Sequence, residues 1–177
     1  MGPYEDIGRL PWWLLRLQRG GKVIAPGPST RPLQYIDARD LARWMISCAE
    51  QDIGGSMNAV SQVGHTTMGQ LLGIARTITN SDAELVWFGP DEIEDAGIAP
   101  WTELPIWVPP GGDLAGLHDC DVKRAFQTGL ECRPVRETIE DTWNWLQIEG
   151  PPVQRNDRPI HGIDPHRETN LIKSLNR

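Results

Sequence analysis

A Pro/Trp-rich stretch carries the side chains of this sequence that are best suited to binding a ligand. In PWTELPIWVPP, Trp101 and Trp107 present aromatic faces that could stack on a sugar, a nucleobase or an apolar acyl group. Glu103 lies between them, where a carboxylate beside apolar rings could act as an acid. The alternative is a loop whose rings pack on their own domain, and this is the interpretation that we favour.

A second polar group has some features of a metal site. His161, Asp164 and His166 are close in sequence, but their spacing matches neither a helical pair of ligands nor a zinc-binding pattern. Asp164 precedes a proline and is better explained as a helix cap. We therefore predict no metal. The sequence also lacks a Gly-x-Ser-x-Gly elbow, so serine hydrolase chemistry is not expected.

Composition and charge narrow the classes of partner and compartment. The 177 residues suffice for one domain, or for one and a fraction, and they carry a formal charge of -7 with a pI near 5.0. This balance argues against nucleic acid or an anionic membrane surface as the main partner, because both attract basic proteins. Three cysteines leave one thiol over under any pairing, which indicates a reducing compartment. Since no secretory leader or long apolar stretch is present either, we expect a cytoplasmic protein.

Hydrophobic periodicity predicts strands that alternate with helices. Residues 9–18 predict an amphipathic helix with Arg16 on its solvent-exposed side. Asp37 and Thr67 are suited to cap two further helices, the second through a capping box with Gln70. We expect the first of these two helices to bury Leu41, Trp44, Met45 and Cys48. Short strands are predicted at 22–25, 33–36, 55–60 and 84–88, and a short helix at 91–96. The alternation indicates an α/β fold with short, mostly parallel strands.

The last third of the sequence predicts three more helices. Asp121 can cap a short helix that Gly129 ends in a left-handed turn, and Pro134 then begins a longer helix. The longer helix has an apolar stripe that must be buried against another element. The stripe consists of Val135, Ile139, Trp143 and Leu146. Beyond it the chain is irregular until Asp164-Pro165, which begins a final helix with the apolar residues Leu171, Ile172 and Leu175.

The order of these motifs resembles that of a known family. The stretch DVKRAFQTGLECRPVRETIEDTWNW resembles the C-terminal tail of extended short-chain dehydrogenases/reductases, the NAD(P)-dependent epimerase/dehydratase family. QYIDARDLA and SMNAVSQVGHTTMGQLL resemble two earlier blocks, and Gly2-Pro3 resembles the Gly-Pro that follows the sixth Rossmann strand. The resemblance implies an α/β fold with an incomplete Rossmann domain. It makes 1–150 the C-terminal, substrate-binding domain of such an enzyme and 151–177 an irregular segment with a C-terminal helix.

The resemblance also implies which residues bind. It places Gly2 and Pro3 near the cofactor, and Arg31 near a substrate phosphate that its guanidinium can hold through two parallel hydrogen bonds. An ordinary solvated arginine in a proline-rich loop is the alternative for Arg31. The full candidate substrate site consists of Arg9, Arg31, Gln34, Trp101, Glu103 and Trp107.

The function implied by the resemblance is that of one part of an enzyme. The sequence has no glycine-rich dinucleotide fingerprint and no Tyr-x-x-x-Lys pair. We therefore predict no catalytic residue in this chain and no stable binding of NAD or NADP by the chain alone. We expect it to bind the substrate of an NAD(P)-dependent oxidoreductase, epimerase or dehydratase that acts on a nucleotide sugar or a related small carbonyl or hydroxyl compound. The expected partners are that small molecule, the missing Rossmann portion and, as an open option, a second copy of the chain.

Two alternatives remain open. One is a noncatalytic ligand-binding or interaction module derived from such an enzyme. The other is an incomplete product whose uncovered apolar face drives association.

Overall fold

Helices and strands alternate along the computed structural model, which describes residues 1–153 and 156–174. The α/β class that the sequence predicts is therefore confirmed. The helices are α1 (Arg9–Gln18), α2 (Ala38–Glu50), α3 (Met68–Ile78), α4 (Pro90–Asp95), α5 (Lys123–Gln127), α6 (Val135–Glu149) and α7 (Pro165–Ser174). The strands are β1 (Lys22–Pro26), β2 (Pro32–Leu33), β3 (Thr66–Thr67) and β4 (Glu84–Phe88), and a 3-10 turn spans Ala115–His118.

The strands of the described chain form two separate pairs. β1 and β4 run parallel, with Val23 opposite Leu85. β2 and β3 form a short antiparallel pair. The strands predicted at 22–25 and 84–88 are confirmed, and among the named strands of the described chain only this pair is parallel.

Two predicted strands are wrong. Of the strand predicted at 33–36, only Leu33 belongs to a strand, the two-residue β2. None of the strands in the described residues covers 55–60. Around the latter segment the Arg124 guanidinium donates to the carbonyls of Gly54 and Ser56, at 2.9 and 3.4 Å. A strand forms its hydrogen bonds with a neighbouring strand, and here the carbonyls accept from a side chain instead. Alternating hydrophobicity alone is therefore not sufficient to make this segment a strand.

The main core lies between α1, α3 and α6. Trp13 and Leu17 of α1, Leu72 of α3 and Ile139 of α6 are fully buried in it. Burying a large apolar side chain contributes about 1.5–3 kcal/mol. The apolar faces of these three helices therefore supply the main packing of the fold.

Arg16 of α1 is buried, so its predicted exposure is wrong. Its Nε donates to Glu168 of α7 at 2.7 Å, and its Nη groups donate to the carbonyls of Gly20 and Lys22 at 3.1 and 2.6 Å. The other oxygen of Glu168 accepts the N–H of Ile24 in β1 at 3.1 Å. Each polar group of this buried pair thus has a partner, which is what makes burial of the charges tolerable. Because Glu168 is distant in sequence, the local pattern of α1 could not indicate the pair.

α2 packs on a second, smaller apolar cluster. Asp37 caps it as predicted, accepting the N–H of Arg39 at 2.9 Å. Trp44 and Cys48 are buried in the cluster with residues of α5. Met45 is 57% exposed, so its predicted place in the buried stripe is wrong. The short α5 covers one side of α2 and leaves the adjacent apolar side open.

Three other helix termini follow their local signals. Thr67 and Gln70 form the predicted capping box, with N···O distances of 3.2 and 2.9 Å. Gly129 has φ 88° after α5, and Asp164 accepts backbone N–H groups at the start of α7. Leu175, which the sequence assigns to the apolar face of α7, lies outside the described residues. Capping therefore determines these boundaries locally.

Candidate functional site

The Pro/Trp segment (residues 97–112) crosses the carboxyl ends of the parallel strands. Directly after β1, Gly27 donates its N–H to the Phe88 carbonyl at the end of β4, at 2.7 Å. The Gly27 carbonyl in turn accepts the indole Nε1–H of the fully buried Trp107 at 3.2 Å. The segment is thereby fixed at the edge where ligands of parallel α/β sheets usually bind.

A cavity of about 480 Å³ opens at this edge, and we call it the edge cavity. Its lining includes Ile93, Ile98 and Trp107, which are at most 3% exposed, and α4 contributes Asp91 and Glu94. Ligand sites commonly occupy about 300–1,000 Å³ and are mostly apolar with a few polar groups. The edge cavity has the size and composition of such a site.

Trp101 and Arg9, two of the predicted substrate residues, are in contact. The guanidinium carbon of Arg9 lies 4.6 Å from the centroid of the Trp101 ring, within the range of a cation–π interaction. The pKa of Arg9 is lower than usual, because burial and the charge of Arg158 outweigh the nearby Glu5 carboxylate, which raises it. The Arg9 Nε, one Glu5 oxygen and Nδ1 of His161 are buried with no hydrogen-bond partner in the described chain. Such atoms are rare in folded proteins and often mark places where water or a ligand binds.

Arg31 lies beside the edge cavity. Its Nη2 donates to the carbonyls of Ala115 and Pro109 at 3.3 and 3.5 Å, both long for hydrogen bonds. Its Nε is buried and unpaired among the described residues. The pKa of Arg31 is lower than usual, because burial outweighs the Asp119 carboxylate, which raises it. The guanidinium therefore keeps hydrogen-bonding capacity that the described residues do not use.

His118 connects Arg31 to Trp101, a feature that the sequence does not predict. Its ring centroid lies 6.4 Å from that of Trp101, and burial, together with the charge of Arg31, lowers its pKa. Nδ1 accepts the N–H of Gln34 at 3.0 Å, and Nε2 donates to the Ile106 carbonyl at 2.8 Å. These partners require the neutral imidazole with its proton on Nε2. The sequence around His118 contains no motif that predicts its role, because both of its hydrogen-bond partners are backbone groups outside its local sequence.

Gln34 is fully engaged with the backbone. Its Nε2 donates to the carbonyls of Ser61 and Cys120 at 2.8 and 3.1 Å, and its Oε1 accepts the Cys120 N–H at 2.6 Å. The residue is 5% exposed. Contrary to the role predicted for it, Gln34 fixes the polypeptide around His118 and presents no free amide group to a ligand.

Glu103 is also engaged. One carboxylate oxygen accepts the N–H of Ala99 at 2.7 Å, and the other accepts from the Arg167 guanidinium. Arg167 donates further to the carbonyls of Ala96 and Gly97, at 2.8 and 2.7 Å. The geometry therefore gives Glu103 the role of attaching α7 to the Pro/Trp segment, in place of the predicted role of an acid.

Gly2 and Pro3, the predicted cofactor residues, lie at the start of α2. Gly2 has φ 118°, and a Cβ at this position would lie 3.1 Å from Oδ1 of Asp37. The amino group of Met1 donates to the Ile36 carbonyl at 2.9 Å. The close approach explains why a glycine is required here. In the described chain Gly2 packs against Asp37.

Asp37 belongs to a dense set of ion pairs that we call the α2 joint, formed by Asp37, Arg39, Asp40, Arg133, Thr138 and Asp141. Arg39 donates to both Asp37 oxygens at 2.9 and 2.8 Å, and Thr138 donates to one of them at 2.9 Å. Arg133 donates to Asp40 through its backbone N–H, Nε and Nη2 at 2.7–3.1 Å. Burial alone raises the pKa of Asp37, but the hydrogen bonds from Arg39 and Thr138 outweigh it and lower the value to about 2. The joint is a structural connection in which the buried carboxylates have partners.

Comparison with known proteins adds no assignment, since no family model matches the chain and no curated protein is significantly similar to it. Within the described residues, no three His, Cys, Asp or Glu side chains are grouped so that they could hold a metal ion. None of the described helices is long and apolar enough to cross a membrane.

Proposed function

We propose that this chain is the substrate-binding portion of an NAD(P)-dependent oxidoreductase, epimerase or dehydratase of the extended short-chain reductase type. Its substrate is a nucleotide sugar or a related small carbonyl or hydroxyl compound. A nucleotide-binding portion supplies the cofactor, NAD or NADP, together with the catalytic Tyr and Lys. The three free cysteines support a reducing, cytoplasmic location.

The observation that carries this proposal is the convergence of the resembling blocks in the α2 joint. Asp37 and Asp40 come from QYIDARDLA, whereas Arg133 and Thr138 come from the C-terminal stretch about one hundred residues later. Gly2, from the first block, packs against Asp37. Residues that act as one structural unit support the view that these blocks belong to one inherited fold.

The arginines supply the chemistry expected of a substrate side. Arg31 has a buried, unpaired Nε and only long hydrogen bonds from Nη2. Arg9 stacks on Trp101 and leaves its own Nε unpaired in the described chain. A stacked guanidinium keeps its N–H groups in the plane available for a phosphate or carboxylate. In this proposal Arg31 binds the phosphate, and Arg9 and Trp101 bind the remainder of the substrate.

A noncatalytic binding module is the second candidate. It is favoured by the fact that the arginines and the edge cavity are assembled within this chain. The two candidates differ in whether a cofactor-bearing partner is needed for turnover, not in which residues bind.

The test is titration calorimetry with uridine diphosphate glucose and the purified chain. Arg31→Ala should weaken binding about tenfold or more, because a hydrogen bond to a charged group contributes about 1.5–3 kcal/mol. Arg19→Ala removes an exposed arginine after α1 and is the matched control, with no expected change. Equal losses in both variants, or none in Arg31→Ala, would contradict the assigned role of Arg31.

A separate measurement tests whether turnover requires the nucleotide-binding portion. The isolated chain should show no saturable NADH binding and no substrate-dependent reduction of NAD or NADP. Turnover by the chain alone would disprove the proposed division. Sugar-nucleotide binding with turnover only after addition of a nucleotide-binding portion would favour the enzyme over the noncatalytic module.

A further inference from the structure

The parallel pair of β1 and β4 has one side with unused backbone groups. The Phe88 carbonyl of β4 accepts the Gly27 N–H at 2.7 Å, so Phe88 faces β1. Successive residues of a strand direct their backbone groups to opposite sides, and therefore Leu85 and Trp87 face away from β1. No described residue forms a hydrogen bond with the backbone N–H or C=O of Leu85 or Trp87. We call these four backbone groups the free side of β4.

The opposite side of the pair is closed. Ile24 of β1 donates its N–H to Glu168 of α7 at 3.1 Å, and α7 packs along β1. Burial follows the same division, because residues 23–25 of β1 are fully buried, whereas Trp87 is 37% exposed and Leu85 is half-buried. Within the described chain, another strand can therefore extend this pair only at the free side of β4.

The sequence of β4 suits a strand that is paired on both sides. ELVWF is rich in residues that favour strands, and it contains no proline, lysine or bulge, which commonly prevent an exposed strand from pairing. Two strands form a minimal sheet, and a third adds main-chain hydrogen bonds and cross-strand contacts. The free side of β4 therefore fits an extended peptide segment that binds as an added strand.

The surroundings of the free side are acidic. Residues 77–122 contain no lysine or arginine. Exposed acids lie at the start of β4 and on α4, which follows it, and none of them forms an ion pair with another described residue. These acids are Asp82, Glu84, Asp91, Glu92, Glu94 and Asp95. Lys22 is opposite Glu84, but it lies on the β1 side. Charge complementarity therefore favours an added strand that carries positive charge.

The same acids disfavour a second copy of this chain at the free side. In an antiparallel pair of two β4 strands with Val86 opposite Val86, the start of each strand lies beside the end of the other. Asp82 and Glu84 of one copy then lie near the α4 acids of the other. Because like charges on opposite strands destabilise their pairing, a basic segment of a different protein fits better.

We propose that the free side of β4 binds an extended, basic segment of a partner protein, which adds a third strand to the β1–β4 pair. The segment carries lysine or arginine near its ends and apolar residues between them. The exposed ring of Trp87 can contact the apolar residues or a lysine stem. The inference uses neither Arg9 nor Arg31, so it does not depend on the proposed enzymatic function.

The test is hydrogen exchange of the ¹⁵N-labelled chain followed by NMR. In the chain alone, the amides of Leu85 and Trp87 should exchange at least about tenfold faster than those of Val86 and Phe88, which face β1. The probe is the peptide acetyl-KVTVTVK-amide, which alternates small side chains between terminal lysines. At saturation it should slow exchange at Leu85 and Trp87, because their N–H groups then donate to the peptide.

Two control peptides separate strand pairing from charge. The lysine peptide N-methylated at every internal residue keeps its charges but cannot donate backbone hydrogen bonds, so it should give no protection. Acetyl-EVTVTVE-amide should bind about fivefold more weakly than the lysine peptide at low salt, as exposed charges allow. This difference should decrease at about 0.5 M salt, where exposed charges are screened.

A matched pair of variants tests the position of the charge. Glu84→Lys should weaken binding of the lysine peptide about two- to fivefold and strengthen binding of the glutamate peptide. Glu50→Lys makes the same change in charge at an exposed residue of α2 and should alter neither affinity. Because both acids are exposed, both variants should keep the wild-type unfolding midpoint.

Several results would overturn the proposal. The lysine peptide could give no protection at Leu85 and Trp87, or the N-methylated peptide could protect them equally. The two charged peptides could bind equally, or Glu84→Lys and Glu50→Lys could have equal effects. Protection that rises with the concentration of the chain alone would assign the free side to a second copy, and protection only by the nucleotide-binding portion would assign it to that portion. None of these results bears on the Arg31 titration, so failure here is distinguishable from failure of the proposed function.

Discussion

The α2 joint and the arginines at the Pro/Trp segment use the same side chain in opposite ways. In the joint, three N–H groups of Arg133 donate hydrogen bonds to Asp40, whose side chain is 1% exposed. At the Pro/Trp segment, Arg9 and Arg31 each keep a buried Nε without a partner in the described chain. Fully paired charges fix a fold, whereas unpaired buried donors lower its stability and are retained where a ligand can use them. The difference separates a structural region from a candidate binding region.

The largest expected effect is in the joint. Asp40→Asn should lower the free energy of unfolding by about 2–3 kcal/mol, because it removes the carboxylate to which Arg133 donates and leaves Arg133 with the more distant Asp37 and Asp141 carboxylates, at 3.6 and 3.9 Å. Urea unfolding followed by circular dichroism measures the loss. Glu50→Gln, an exposed acid at the end of the same helix, is the control and should stay within about 0.5 kcal/mol. A loss below about 1 kcal/mol for Asp40→Asn would remove the contrast between the two regions.

The pH dependence of the joint is the next largest effect. The pKa of Asp37 is lowered to about 2 in the folded chain, from its ordinary value of 3.8. A carboxyl group whose pKa is lower in the folded state stabilises the fold fully when the pH is above its pKa in the unfolded state. This stabilisation is lost as the pH falls through the pKa in the folded state. Between about pH 4 and pH 2 the chain should therefore lose about 2 kcal/mol of stability through Asp37.

Two measurements isolate that contribution. An NMR titration of the Asp37 carboxyl should give a midpoint near the lower end of this range. Asp37→Asn should reduce the loss of stability on acidification relative to the wild type. An Asp37 carboxyl that titrates at its ordinary value would show that Arg39 and Thr138 do not stabilise its charge.

The smallest expected effect on stability is at Arg9. Arg9→Met keeps an apolar stem over Trp101, and the relief of burying a charge offsets the lost interaction with Glu5, so the free energy of unfolding should change by less than about 1 kcal/mol. The same variant should weaken binding of uridine diphosphate glucose. Urea unfolding and calorimetry on one protein preparation measure both quantities. A large loss of stability without a change in affinity would place Arg9 with the structural arginines.

Local elements of this fold follow directly from the sequence. The cap at Asp37, the Thr67–Gln70 capping box and the turn at Gly129 each depend on residues within one helical turn. The predicted α/β class and the strands β1 and β4 depend on hydrophobic patterns that remain valid in the folded chain. These features require no knowledge of which elements meet.

The sequence indicates several of the residues that lie near the candidate site, and their binding roles stay predictions. Arg31 and the tryptophans of the Pro/Trp segment are found around one edge of the parallel sheet, as a shared site requires. Gln34 and Glu103 have their polar atoms engaged by backbone groups or Arg167, and His118 was missed. Polar residues of the same type can bind a ligand or complete the fold, and the sequence does not distinguish the two uses.

The amino-acid sequence by itself determined several helix caps, most positions of the apolar stripes, the acidic charge and the residue types available for binding. Only the tertiary structure decided which polar groups are paired. It buries Arg16 against Glu168, exposes Met45, and leaves 55–60 without a strand partner in the described chain. The physical reason is that a cap or a stripe is completed within a few residues. The partner of a buried charge, the cover of a helix face and the walls of a cavity come from distant parts of the chain.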